Sequence, residues 1–513
     1  MNPLIYGKNE TERIVSIEPR ESDLEVFTEA EDGTIASQIL PLKYWILFAQ
    51  QHSDKFRKLN GTQHFRYIME YSSRERYKTV LFDCYKKNYD LQAIRDLKEA
   101  AMVKDGYTYF KGMKVEDVSV LSVDIEDTCG IGDTLNPEGQ VLLIGNTVRK
   151  KGKIIKKQFA IDDYPSQKEM LQDWSKWLRE IDPSVIIGHN LYGHDLKVID
   201  FCAKKCGLTL GIGRDGSEMW INPRKSQFRK DGSQTYDYNN ILIYGREIVD
   251  TWFLALKYDV AARREYESYG LKYIIEHEGL EKKNRQHYDA SKIAQNWKKP
   301  EEWKKIKAYN MDDADDPLAY FDLTIPSFFY YTQSIPRSFQ SIINTATGSQ
   351  INSLMVRSYL QQDYSIALGS DKEEFEGAIS FGVPGIHKNV FKIDVQSLYP
   401  SIILSSKICN RAKDPQENFL KIVNYFTEER LRNKKLGKET GNIHYTHLSD
   451  SQKIVINSMY GFLGAPKLNY NSPADAAAVT RTGREILKTA IRWASGQDYV
   501  PVLEEDADEA EAL

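Results

Sequence analysis

The residues most able to do chemistry in this sequence are acids that recur at short spacings. Asp124 and Glu126 are two residues apart in an apolar segment, and alternation along a strand puts both side chains on one face. Asp195 ends a segment that follows another apolar run, and Tyr309 and Asp313 share one face of a predicted helix. Paired acids repel one another, so the pattern indicates either a metal site or the exposed end of a strand.

A second group of candidates lies further along the chain. Asp394 ends the short apolar run Phe391–Val395, which we interpret as a strand leading into a helix whose first turn holds Pro400. Downstream, Lys453, Asn457 and Tyr460 fall within about 60° of one another on a helix, which makes one polar stripe. Taken alone, this stripe is equally typical of a solvated helix face.

The elements around the first acids predict their setting. Residues 118–126, 141–145 and 153–161 have the composition of three strands joined in a meander. Apolar residues with helical spacing then predict a helix that ends before Pro183, and residues 184–190 predict a buried fourth strand. This order is typical of an RNase H-like α/β domain.

As a set, the acidic motifs resemble those of a known enzyme family. Asp-x-Glu, Asn-x4-Asp and Tyr-x3-Asp, in this order, are similar to the three exonuclease motifs of family B DNA polymerases. The resemblance implies that Asp124, Glu126, Asp195 and Asp313 are metal ligands and that Tyr309 orients the attacking water. It also implies two Mg²⁺ ions in each active site, with Mn²⁺ as a substitute.

Two features depart from the family pattern without removing any of these acids. His194 stands where relatives commonly have phenylalanine, and Pro317 falls inside the predicted helix, which we expect to kink or restart there. By their spacing, the remaining acids of this segment, Asp312, Asp315 and Asp316, are expected to be solvated.

The second group resembles polymerase motif A of the same family through the run Asp-x-x-Ser-Leu-Tyr-Pro-Ser. By this resemblance, Asp394 is a catalytic residue that binds both polymerase metals. The backbone around Leu398 would face the triphosphate of the incoming nucleotide. Tyr399 would stack under its deoxyribose and exclude a 2′-hydroxyl.

The polar stripe resembles motif B, and the basic helical segment before it resembles the first helix of the fingers. Lys453 would contact the phosphates of the incoming nucleotide, and Asn457 and Tyr460 would shape the base-pair pocket. Arg430 and Lys434, one helical turn apart, are the further candidates for triphosphate contact.

The second palm carboxylate of the family, in the Asp-Thr-Asp hairpin of motif C, has no clear counterpart. Asp506 and Asp508 stand at about the right place, but they belong to an acidic segment. We therefore favour a large polypeptide of a split family B polymerase with proofreading activity, to which a second polypeptide brings motif C and the thumb. The alternatives are a free-standing 3′–5′ DNA exonuclease with a vestigial polymerase half, and a non-catalytic DNA-binding scaffold subunit.

Length and composition set the remaining expectations. With 513 residues, 41% hydrophobic and 28% charged, the chain fits several packed domains. The net charge of −4 does not itself indicate a nucleic-acid partner, and five scattered cysteines do not indicate a disulfide framework. No apolar segment suggests a signal peptide or a membrane span, so we expect a cytoplasmic protein. Primer-template DNA and dNTPs are the expected partners, and a sliding clamp is a further candidate.

The predicted fold class is multidomain α/β and α+β, with an RNase H-like 3′–5′ exonuclease domain followed by a partial palm and helical fingers. The predicted divisions are an N-terminal domain (1–115), the exonuclease domain (116–335), a connection returning to the N-terminal domain (336–371), the palm with motif A (372–425), the fingers with motif B (426–462), a second palm part (463–503) and an acidic tail (504–513).

Overall fold

The fold was analysed in a computed structural model. The structure describes residues 2–53, 55–130, 132, 134–230, 234–262, 265–379, 384–395 and 397–496. The acidic tail and the candidate acids Asp506 and Asp508 lie outside these ranges. Among the helices of the described ranges, none combines the length and the apolar character needed to cross a membrane.

The N-terminal part is built on two small antiparallel sheets, of strand order β1-β2-β3 and β5-β6-β4-β7. Strands β1, β2 and β4 are mostly buried, and in β4 all five residues are buried. The elements are α1 (Pro3–Tyr6), β1 (Ile14–Pro19), β2 (Asp23–Glu29), β3 (Ile35–Pro41), β4 (Tyr44–Phe48), β5 (Arg57–Lys58), β6 (Tyr67–Tyr71), α2 (Arg74–Lys86), β7 (Leu91–Gln92) and α3 (Leu97–Asp105).

The middle part contains a five-stranded sheet of order β10-β9-β8-β11-β16. The first three strands are antiparallel, and β11 runs parallel to β8 and β16. The elements are β8 (Val120–Asp127), β9 (Val141–Lys150), β10 (Lys153–Ala160), α4 (Gln167–Ile181), β11 (Val185–Gly188), α5 (Asp195–Lys205), β12 (Trp220–Ile221), β13 (Ser226–Arg229), β14 (Thr235–Tyr238), β15 (Ile241–Leu242), β16 (Glu247–Asp250), α6 (Thr251–Ala262), α7 (Leu271–His277), α8 (Ile293–Asn296) and α9 (Pro300–Thr332).

This arrangement confirms the predicted meander, crossover helix and fourth strand. Helix α4 begins after Ser166, whose side chain accepts a hydrogen bond from the backbone amide of Lys168, and ends just before Pro183. Its buried face includes Trp174, whose indole nitrogen donates to Asn146 of β9 at 3.1 Å. The helical spacing of the apolar residues therefore did fix which side of α4 meets the sheet.

Helix α9 continues through Pro317, so of the two expected outcomes, a kink or a restart, the restart is wrong. It is one element from Pro300 to Thr332 and includes Pro317 and Pro326, both buried. Each proline lacks one backbone hydrogen bond of the helix. Because α9 packs against β8, β9 and β11 and later against α14, tertiary contacts stabilise the helix across both positions.

The C-terminal part of the described chain is helical. Its elements are α10 (Phe339–Asn344), α11 (Thr347–Leu360), α12 (Leu398–Ser405), α13 (Asn418–Thr440), α14 (Ile443–Gly464) and α15 (Pro473–Ser495). Helices α13 and α14 pack as a hairpin, and Gly441 ends α13 in the left-handed conformation with φ 65°. After α11, backbone bridges join Tyr364 to Asn60 and Ile366 to Phe65 in the N-terminal part.

The predicted strand at Phe391–Val395 is wrong for the described structure. These residues belong to no strand, and all five are exposed. A strand needs a neighbour to bond its backbone amides and carbonyls, and no described segment lies alongside in register. The helix predicted to follow is present as α12, with Pro400 in its first turn.

The sheet order can be tested by matched substitutions. Ile187 is fully buried on the interior strand β11, so Ile187→Ala should lower the free energy of unfolding by about 2–5 kcal/mol. Ile154 lies on the edge strand β10 and is 54% exposed, so Ile154→Ala should change it by no more than about 0.5 kcal/mol. Urea denaturation followed by tryptophan fluorescence measures both, and equal effects would contradict the assigned order.

Candidate active site

The predicted acids Asp124 and Glu126 lie on β8, the middle strand of the five-stranded sheet. Two residues apart on a strand, they project to the same side. Glu126 is buried, and Asp124 is partly buried opposite Gly145 of β9. The two carboxylates therefore stand on a strand that is hydrogen-bonded to a neighbouring strand on each side.

Helix α9 crosses this side of the sheet and brings Asp313 to the pair. One oxygen each of Asp124, Glu126 and Asp313 lie within 4.8 Å of one another. One turn earlier, the Asn310 amide donates to the Asp124 carboxylate at 2.9 Å and to its backbone carbonyl at 3.2 Å. A β-carbon on Gly145 would come within 2.7 Å of the Asn310 side-chain oxygen, so glycine permits this close approach.

Asp195 is the first residue of α5 and lies beside the three-acid group. Its carboxylate accepts from the backbone amide of Ile125, between Asp124 and Glu126, at 3.2 Å. His194, the departure from the family pattern, bonds through Nε2 to Asp127 at 2.7 Å. The structure thus brings all four predicted carboxylates together, although Asp195 stands outside the tightest group.

Tyr309 lies one turn before Asp313 on α9 and is buried. Its hydroxyl accepts a hydrogen bond at 2.7 Å from the ammonium of Lys272, which also sits 4.5 Å from the centre of the tyrosine ring. Lys272 belongs to α7, and no spacing or motif considered in the sequence pointed to it. Burial, followed by the charge of Asp313, raises the pKa of Tyr309.

The electrostatics of the group indicate a missing positive charge. Burial, reinforced by the neighbouring carboxylates, raises the pKa values of Asp124 and Glu126 well above their ordinary range. Burial also raises the pKa of Asp195 to about 6. Within the described ranges, no basic side chain forms an ion pair with any of these three acids. Clustered carboxylate oxygens of this kind suit hard divalent cations.

The neighbouring acids on α9 differ from the prediction. Asp315 and Asp316 are buried, not solvated, and Asp312 is partly buried. Lys282 forms ion pairs with Asp312 and Asp315, and Arg285 pairs with Asp316 at 2.7 Å. The spacing on α9 shows where these acids point, but it does not reveal that a distant loop covers them.

Most of the polymerase candidates lie on three helices that contact one another, α12, α13 and α14. Arg430 of α13 donates to the Ser397 hydroxyl at 2.7 Å, and the rings of Tyr399 and Tyr460 are 4.6 Å apart. Leu398 begins α12. The other four candidates have exposed side chains: Asp394, Lys434, Lys453 and Asn457.

Comparison with protein families gives two matches. A family model described as DNA polymerase family B, exonuclease domain, matches residues 59–274, and one described as DNA polymerase family B matches residues 412–509. Together they cover more than half of the chain. The chain belongs to DNA polymerase family B.

Individual relatives agree with the family B assignment. The chain is 25% identical over 471 residues to a DNA polymerase of Thermococcus gorgonarius, covering 82% of this chain and 58% of the relative. It is 26% identical over 447 residues to the DNA polymerase delta catalytic subunit of Candida albicans, covering 73% of this chain and 41% of the relative. The chain thus spans about half the length of these curated relatives.

A solved structure supports the fold of this family B chain. The family B DNA polymerase from the hyperthermophilic archaeon Pyrobaculum calidifontis superposes with a TM-score of 0.72 at 16% sequence identity. The match covers 93% of this chain and 71% of that structure. It confirms the predicted multidomain fold class.

The raised pKa of Asp195 predicts a pH-dependent stability difference. Its carboxyl has a pKa of about 6 in the fold against 3.8 ordinarily, so ionisation destabilises the metal-free protein above pH 6 and protonation removes that cost as the pH falls towards 4. Asp195→Asn keeps the acceptor for Ile125 and stays neutral. Without metal at pH 8 it should be more stable by up to roughly 3 kcal/mol, and the gain should vanish near pH 4.

Thermal unfolding in EDTA across this pH range measures the difference. Glu180→Gln, which alters an exposed acid on α4, is the matched control and should give no such pH-dependent gain. A gain for Asp195→Asn that persists unchanged at pH 4 would show that the buried charge is not its cause.

Proposed function

We propose that this family B chain is a DNA polymerase polypeptide with a metal-dependent 3′–5′ exonuclease that proofreads DNA. The observation that carries the exonuclease proposal is the group of Asp124, Glu126 and Asp313, with Asp195 adjoining; among the described residues, three of these four acids have no ion-paired base. The match of residues 59–274 to a family B exonuclease domain supports it.

In this proposal, Asp124, Glu126, Asp195 and Asp313 would hold two Mg²⁺ ions, for which Mn²⁺ would substitute. When bound, such ions would supply the Lewis acidity that phosphodiester hydrolysis needs at the attacking water and at the departing 3′ oxygen. The chain's own groups set the geometry. The Asn310 amide fixes the Asp124 carboxylate, and Lys272 fixes the Tyr309 hydroxyl, which is left to orient the attacking water.

We further infer a nucleotidyl transfer site around α12, α13 and α14. Asp394 would bind the polymerase metals, while Leu398 and Tyr399 would face the incoming dNTP beside primer-template DNA. The hydrogen bond from Arg430 to Ser397 supports this inference, because it holds a positive charge beside the residue that precedes α12. The remaining contacts to dNTP phosphates and the base pair are assigned to Lys434, Lys453, Asn457 and Tyr460.

The second palm carboxylate is proposed to come from another polypeptide that carries motif C and the thumb. Exposed apolar side chains support such a partner. Ile386 is 96% exposed, Phe391 91% and Trp493 81%. Between residues 391–395 and α15 lies an apolar cavity of about 270 Å³, which Phe391 lines. An apolar cavity beside an exposed aromatic side chain is a feature that another protein segment can cover.

The division into domains stays as predicted from the sequence and is part of this proposal, as is a cytoplasmic location. A sliding clamp remains a candidate partner. A free-standing exonuclease is the second candidate function, because Asp394 is exposed on an irregular segment whereas the exonuclease acids stand on buried elements. A scaffold without catalysis is disfavoured by the complete acid group.

The exonuclease proposal predicts degradation of single-stranded DNA by the purified chain. With Mg²⁺, 3′-labelled and 5′-labelled oligonucleotides should show shortening from the 3′ end, and the double change Asp124→Ala, Glu126→Ala should abolish it because two metal ligands are lost. Glu180→Gln is the control and should retain the activity. Undiminished degradation by the double variant would refute the site.

The polymerase proposal is tested in the same exonuclease-deficient background, where primers survive. Primer extension with dNTPs and Mg²⁺ should be negligible for the purified chain and should appear when a polypeptide bearing the Asp-Thr-Asp hairpin is added. Asp394→Asn should remove the restored extension because it deletes a metal ligand. Robust extension by the chain alone would contradict the need for a second polypeptide.

A further inference from the structure

The loop after α7 closes over the acidic turn of α9 through several polar contacts. The Gln286 backbone amide donates to Asp312 at 2.8 Å, and Lys282 reaches Asp312 at 3.2 Å and also pairs with Asp315. Four of the five residues 312–316 are aspartates, so the donors of this loop compensate a high local density of negative charge. Arg285 belongs to the same loop and contacts α9 through its own side chain.

Arg285 links two acids that lie three residues apart on α9. Its side chain is 1% exposed, and both Nε and Nη2 donate to Asp316, at 2.9 and 2.7 Å. The same Nη2 also donates to Asp313 Oδ1. Since Asp316 is equally buried, the guanidinium is fixed by one acid while it bonds the other.

This contact sets Asp313 apart from the other exonuclease acids. In the described structure, Asp124, Glu126 and Asp195 have no ion-pair partner, whereas Asp313 has Arg285. The arginine therefore neutralises part of the charge of one carboxylate and restricts its rotation. A carboxylate oriented before metal arrives loses less conformational freedom when it becomes a ligand.

We propose that Arg285 is a positioning residue for Asp313, held in place by Asp316, and that this arrangement sets the divalent metal affinity of the exonuclease site. The inference rests on the proposed function, because it takes Asp313 to be a metal ligand. The fork of the guanidinium is essential to it. A lysine ammonium keeps the charge but does not reproduce the planar set of donors that joins both acids.

The test measures Mn²⁺ binding to the metal-free protein by isothermal titration calorimetry. Arg285→Lys, Arg285→Met and Asp316→Asn should each weaken binding by about 10- to 100-fold, as for other partners of metal ligands. In the exonuclease assay, the half-saturating Mn²⁺ concentration should rise by a similar factor, while saturating Mn²⁺ should restore most of the rate. A purely structural defect would lower the maximal rate instead.

Lys282→Met is the matched control, because it removes a cation of the same loop that pairs with Asp312 and Asp315 but not with Asp313. It should leave Mn²⁺ affinity within about twofold, well below the factors expected for partners of metal ligands. Circular dichroism checks that each variant folds. If Arg285→Met does not fold, the Mn²⁺ affinities of Arg285→Lys and Asp316→Asn test the positioning role.

The outcomes separate the two proposals. If the unmodified protein binds no Mn²⁺, the exonuclease proposal fails, and the role of Arg285 fails with it. If the unmodified protein binds Mn²⁺ and the Arg285 and Asp316 variants bind equally well, only the positioning role is wrong. Tighter Mn²⁺ binding by Arg285→Met would also overturn the positioning role, because the main effect of Arg285 would then be its charge repulsion of the metal ion.

Discussion

Mutual repulsion among buried carboxylates is the constraint on which the rest of this structure depends. Asp124, Glu126 and Asp313 are brought within a few ångström where little water screens them, and their neighbours do not supply enough positive charge. A fold can hold such groups only if other contacts stabilise the strand and the helix that carry them. Here the acids stand on the middle strand of a five-stranded sheet and on a helix of 33 residues.

The approach of α9 to the sheet depends on small and neutral groups as much as on charge. Gly145 leaves room for Asn310, and the Asn310 amide satisfies an oxygen of Asp124 without adding charge. The result is a distance between strand and helix that is set by van der Waals contact. Cationic side chains contact other members of the site, where Lys272 bonds Tyr309 and the buried Arg285 bonds Asp313.

The sequence predicted the meander, crossover helix and fourth strand around β8 because these depend on local rules. Alternation along a strand places Asp124 beside Glu126, and helical spacing places Tyr309 beside Asp313. That these acids and Asp195 share one site was expected from the family resemblance.

What the sequence missed depends on contacts between distant segments. Lys272 and Arg285 reach the site from a region without a motif. Asp316 pairs with Arg285 of that loop, whereas Asp315 contacts both Lys282 of the loop and Thr147 of β9.

Local rules also failed where contacts between segments decide whether a helix or a strand is stable. Pro317 favours a kink or a restart of the helix, yet α9 is one element through this position, where it packs on the sheet. Residues 391–395 predict a strand, yet they have no neighbouring strand in the described structure. Both errors arise because propensity describes one segment, whereas stability belongs to the assembly of segments.

Helix α9 contacts both the sheet that carries the acid group and the helix α14. Tyr309 and Asp313 lie on its first half, and on its second half the Tyr330 hydroxyl is 3.0 Å from His444 of α14, the helix that also carries Lys453 and Asn457. Between these two regions, Pro317 and Pro326 each remove one backbone hydrogen bond of the helix. A displacement of α14 would therefore meet α9 at the tyrosine–histidine contact, and bending at the two prolines would absorb it before the acid group.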